Sequence, residues 1–174
     1  MAAGVTVFVL TRGTGDTETA QPPLNTNVPA PAQQPPTTTV APTTQAPAEI
    51  TEDDLRRQTS QDSTTAERLV GHWVPQLSSK NLGLVVGGVT YDYPAIMADF
   101  KSLHDRFPDA VMVNSSDYSN FSRKDFWVTV EASVFASADA ANAWCDEQNF
   151  AAQDCHASRL THSGGPAGNS KPRG

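Results

Sequence analysis

Twelve of the 13 aromatic residues lie at or after Trp73, Phe8 being the exception, while eight of the 13 prolines fall between Pro22 and Pro47. Chain without large apolar side chains cannot bury enough surface to offset its ordering entropy. A 174-residue chain divided in this way is not one globule. About 90 residues carry nearly the whole aromatic inventory, and the rest must be appendage.

The order of the appendages is readable. Met1 to Leu10 (MAAGVTVFVL) is apolar and uncharged, then stops at Thr11-Arg12-Gly13. A spanning helix needs about 20 apolar residues, so residues 1–12 read as the remnant of a truncated membrane anchor. They lack the basic start and the cleavage site of a signal peptide. Residues 13–49 follow as a disordered linker of Pro, Thr, Ala and Gln. Proline fixes φ and removes donors, which favours an extended polyproline-II spacer. At about 3.1 Å per residue, its 37 residues reach on the order of 100 Å.

Residues 50–70 read as a helical neck. Thr51 stands at a cap position before Glu52, Asp53 and Asp54, and Ile50 and Leu55 are spaced as a hydrophobic staple. Thr64 and Glu67 offer a second capping box, so the neck is one helix or two. Its few apolar residues predict a loose first helix.

Residues 71–162 contain the folded domain, and 163–174 a flexible tail. Trp73 to Ser79 alternates as a strand, with Trp73, Pro75 and Leu77 on one face and Val74, Gln76 and Ser78 on the other. Pro75 lacks a donor and predicts an edge position or a bulge. Residues 80–93 are broken by Gly87-Gly88 and read as a loop or small hairpin. Pro94 opens a helix whose stripe is Ile96, Phe100, Leu103 and Phe107. Residues 110–114 form a strand and 115–124 a polar loop. Residues 125–134 form the strongest strand, with Phe126, Val128 and Val130 on one face and Trp127, Thr129 and Glu131 on the other. Ser137 caps a second helix that turns Ala141, Trp144 and Cys145 inward. A last strand falls within 154–160.

The resulting order is a split βαββαβ, an α+β ferredoxin-like sandwich with two helices on one face of an antiparallel sheet. On the face the helices leave open, the alternation places Gln76, Ser78, Trp127 and Thr129. A Trp beside amide and hydroxyl groups suits a sugar, since its flat face stacks on the ring and the polar groups take the hydroxyls. The bland alternative is a Trp127 covered by residues 80–93 or by the neck.

Other features narrow the function. A net charge of −7, with basic residues scattered, speaks against nucleic-acid binding. Cys145 and Cys155, with nine residues between them, close a small disulfide loop in an oxidising compartment, worth about 2–3 kcal/mol. In a reducing one they stay two free thiols. Neither cysteine has zinc-site spacing, and no metal or cofactor is expected. The motifs of hydrolases, zinc proteases, P-loop enzymes and kinases are missing from the string, and the four histidines are scattered. The chain therefore reads as non-catalytic. Asn114-Ser115-Ser116 and Asn120-Phe121-Ser122 match glycosylation sequons, which carry little weight.

The strings WVPQLSSK, YDYPAIMADFKSL, PDAVMVNSSDYSNF, DFWVTV and SADAANAWC, followed by DC and RL, span about residues 64–164. They resemble a C-terminal extracytoplasmic domain of actinobacterial membrane proteins, some similar to transmembrane serine/threonine kinases. More widely, the pattern is similar to the sporulation-related repeat (SPOR) domain, which binds peptidoglycan stripped of stem peptides. That family opens on a Val-Gln-Leu-Gly-Ser strand, matched here by Gln76, Leu77, Ser78 and Ser79, with Ser78 in place of the glycine. The resemblance implies a glycan site on the open face using Gln76, Ser79 and Trp127. It implies a cell-membrane protein with its domain outside the cytoplasm. The expected partner is cell-wall glycan, or else another envelope protein bound by an interaction, dimerisation or sensor module.

Overall fold

The computed structural model describes residues 49–174. The anchor expected at 1–12 lies outside the described residues, as does the linker expected at 13–49 apart from its last residue. Among the described residues no helix is long and apolar enough to cross a membrane.

The fold is α+β. Helix α1 (Glu52–Arg68) precedes strand β1 (Trp73–Lys80), a small hairpin of β2 (Val85–Val86) and β3 (Val89–Thr90), and helix α2 (Tyr93–Arg106). Then come β4 (Ala110–Asn114), β5 (Trp127–Glu131), α3 (Ala138–Glu147), β6 (His156–Arg159) and β7 (Ser170–Lys171). The main sheet runs β4-β5-β1-β6-β7 with every neighbouring pair antiparallel.

Local chemistry accounts for the helices. The Asp92 carboxylate accepts from the Ala95 N–H at 2.8 Å at the start of α2, and Pro94 sits in the first turn where its missing donor costs nothing. Ser137 accepts from the Ala140 N–H in the same way at α3. Ile96, Met97 and Phe100 of α2 and Ala141 and Cys145 of α3 are buried on one face of the sheet. They meet Met112 and Trp127 at one end and Leu77, Ala110 and Cys155 at the other.

Cys145 and Cys155 are joined as a disulfide, with both residues fully buried. The bond ties α3 to the chain entering β6. Trp144, expected inward, is partly buried and packs on Phe107 with ring centroids 5.2 Å apart.

Of the two readings of the neck, the single helix holds: it is continuous, and Thr64 lies inside it rather than starting a second. It is not loose, however, as its first part was expected to be. The Asp54 carboxylate accepts from the Thr51 N–H and hydroxyl at 2.8 Å each, and Leu55 is completely buried against α2, Met112 and Trp127. Farther along, the Asp62 carboxylate accepts from the Met112 N–H at 2.7 Å. α1 therefore lies along the outer edge of β4 and occupies a donor that a bare edge strand would present. Leu55, Ala66 and the edge-capping Asp62 dock it, which mean apolarity does not reveal.

The tail is also ordered where fraying was expected. Ser170–Lys171 pairs with β6, and the Arg173 guanidinium donates to the carbonyls of Cys155 and Phe150 at 3.2 and 3.0 Å. The Asn169 amide donates to the Gly165 carbonyl and accepts from Arg159.

Candidate functional site

Strand β1 decides which side chains share a face. It lies between β5 and β6, so Pro75 is not at an edge; β1 does carry a bulge, but at Leu77, while Pro75 itself stands in regular register with Ala157. Gln76 is opposite Val130, Ser78 opposite Thr129 and Ser79 opposite Val128, which leaves Leu77 over. One extra residue inverts the alternation beyond it. Gln76 and Ser79 thus face away from α2 and α3, whereas Leu77 and Ser78 face toward them. The Ser78 hydroxyl donates to the Asp99 carboxylate of α2 and accepts from Lys80 at 2.8 Å.

Trp127 and Thr129 are not on the face with Gln76. The alternation of β5 is as expected, but its sense is reversed. Trp127 is 6% exposed, packed beneath Leu55, Ile96 and Phe100, with the Arg56 guanidinium 5.9 Å from its ring centre. Thr129 is buried on the same side, opposite Met112 and Ser78. The reason is that the far face is not simply open. Val111, Val113, Val128 and Val130 there are covered by Ala66, Leu69 and Tyr118. With both faces buried at β5, apolarity carries no information about direction. Trp127 does line a separate shallow depression with Arg56, Asn114 and Asp125.

The part of the far face that stays accessible is a groove of about 350 Å³. Gln76 and Ser79 of β1, His156 and Ser158 of β6 and Ser170 of β7 lie along it. Asn120, Phe121, Ser122, Arg123 and Phe126 of the loop before β5 also line it, as do Leu84 and Pro166. Of the five expected ligand-binding residues, the structure therefore brings together Gln76 and Ser79, and separates Ser78, Trp127 and Thr129.

The walls are braced. The Phe126 N–H donates to the Ser115 hydroxyl at 2.9 Å, and Ser115 N–H returns a bond to the Phe126 carbonyl at 2.8 Å. The Lys124 ammonium donates to the carbonyls of Ser115 and Tyr118. Asp125 takes a left-handed φ of 61°, held by its N–H and carboxylate against the Ser116 hydroxyl. The buried Asn120 donates to the Ser158 hydroxyl at 3.1 Å and accepts from the Thr161 N–H at 3.2 Å. The loop is thereby tied to β6, and its side chains meet a ligand already placed. Burial pushes the His156 imidazole below its ordinary pKa, so it is neutral at pH 7.

Phe126, Asn120, Arg123 and His156 were not anticipated as groove residues. Phe126 was detectable once the bulge at Leu77 is applied, because it follows the phase of Val128, which faces Ser79. No family model matches this chain, and no curated protein or solved structure is similar to it.

Proposed function

We propose that this chain is a non-catalytic binding module of the cell envelope, tethered to the membrane and contacting peptidoglycan glycan through the Gln76 groove. The observation that carries the reading is the juxtaposition of Gln76 and Ser79 with Phe121 and Phe126 in one groove. Sugar rings stack on flat apolar faces, and their hydroxyls pair with amide and hydroxyl groups. The position of Gln76 and Ser79 on their strand supports the likeness to the SPOR domain, with Phe126 in place of Trp127. The succession β1, α2, β4, β5, α3, β6, with β1 and β5 central, supports the split βαββαβ reading, to which α1, the hairpin and β7 are additions. The disulfide supports an oxidising, extracytoplasmic location.

Co-sedimentation of the full chain with purified peptidoglycan tests this. The chain should pellet, and Gln76→Ala and Phe126→Ala should release it while Trp127→Phe does not. No pelleting, or pelleting indifferent to both groove variants, overturns the reading.

A second reading, an interaction or dimerisation module of an envelope protein or receptor-type kinase, is favoured by one observation. Leu82, Val85, Val86 and Val89 are about half exposed or more on the β2–β3 segment, leaving both faces of the hairpin apolar. Light scattering that shows a dimer dissociated by Val86→Glu would support it.

A further inference from the structure

The sequence carries 19 Asp and Glu against 12 Lys and Arg, yet among the described residues no Asp or Glu lines the groove. Arg123 stands in its wall, exposed, and makes no ion pair or hydrogen bond among the described residues. Most other cations near the domain surface are engaged. Lys80 faces Asp99, Lys171 faces Asp139, Arg173 faces Asp146, and Arg56 and Arg57 face Glu52 and Asp54. Lys124, beside Arg123 in sequence, is held by two carbonyls. Arg123 is thus a free guanidinium among neutral donors, with the neutral His156 as the other titratable group of the groove.

We propose that the groove selects a sugar ligand bearing an oxyanion, a carboxylate or a phosphate, which the Arg123 guanidinium receives. This rests on the glycan reading above and specifies its ligand. The planar guanidinium fork matches both anions in a two-bond geometry. The polar groups next to it, Gln76, Ser79 and Ser122, suit the remaining oxygens and hydroxyls. The acidic surface elsewhere repels an anion, so the carboxylate-free groove is where such a ligand meets the least opposition.

Isothermal titration of the full chain with three probes tests the proposal. Peptide-free peptidoglycan strands carry a carboxylate, chitotetraose phosphorylated at its terminal 6-hydroxyl carries a phosphate, and plain chitotetraose carries neither. At least one anionic probe should bind about ten-fold more tightly than chitotetraose, and the tighter one names the source of the anion. Arg123→Gln should bring that probe down to the level of chitotetraose, and added salt should narrow the gap. Equal binding of all three, unchanged in Arg123→Gln, overturns the anion inference and leaves the glycan reading standing. Binding by none overturns the glycan reading and this inference with it.

Discussion

The two faces of the sheet are built on opposite principles. On the helix side, Leu55, Met97, Phe100, Met112 and Trp127 interdigitate, and a disulfide closes the other end. On the far side, valines are covered toward β4 and at the start of β1, and beyond them the surface turns to amide, hydroxyl and imidazole around two Phe rings. The first face gains its stability from volume, so any loss of volume is felt. The second holds its shape through hydrogen bonds within the 115–126 loop, so a groove residue is replaceable without collapse. Rigidity and recognition are therefore on opposite sides of strands that are shared.

The sharpest way to break this contrast is a pair of substitutions. Trp127→Ala should cost about 3–5 kcal/mol in denaturant unfolding. Gln76→Ala should stay within about 0.5 kcal/mol. Comparable losses would mean that the faces are not divided as described. Next in size is the disulfide: replacing Cys145 and Cys155 by Ala should cost about 2–3 kcal/mol. The groove's ligand binding should survive at temperatures where the chain stays folded. Intact-mass measurement without reductant should show the native chain two hydrogens lighter than its reduced form.

Glu131 gives a smaller and oppositely signed effect. It is buried on the helix side, one carboxylate oxygen accepts from Ser133, and the other has no partner among the described residues. Burial pushes its pKa above the ordinary range, so folding favours the protonated acid. That contribution is fully present below the unfolded-state pKa and is lost as pH rises through the folded one. Glu131→Gln should therefore raise stability at neutral pH by on the order of 1 kcal/mol. The gain should shrink in acid, as urea midpoints at two pH values would show.

The smallest effect lies at the rim of the far face. There the His162 ring stacks on Tyr118, and its Nε2 lies 2.9 Å from a Glu67 oxygen. The bond to Glu67 raises the His162 pKa above 6.5 and lowers that of Glu67. The pair's contribution is lost as pH falls through the lowered Glu67 value, and again as pH rises through the raised His162 value. A titration of the His162 ring signals should show a midpoint above 6.5 that moves back toward it in Glu67→Gln.

Much of the α+β arrangement was legible because its signals are local. Pro94 and Ser137 each announce a helix start. The cysteine spacing permitted the bond that formed. The candidate site was legible by half, and the miss has a single cause. Alternation specifies that Trp127 and Val128 face opposite ways, but direction depends on what covers each face. At β5 the covering groups are Leu55, 72 positions before Trp127, and Tyr118 on the other side. Ser78 was misplaced through the bulge at Leu77, which the proline hinted at but which only pairing with β5 locates. The neck was underrated because its docking depends on Leu55 and Asp62 rather than on an apolar stripe.

The position of α1 sets an order of contacts along the chain. Leading in from residue 49, Ile50 and Leu55 meet the helix side of the sheet beside Trp127, the Asp62 carboxylate then takes the Met112 N–H at the edge, and Ala66 and Glu67 last meet Val111, Val113 and Tyr118 on the far side. The segment that enters the domain is thus fastened to both faces and to the edge between them before the first strand begins.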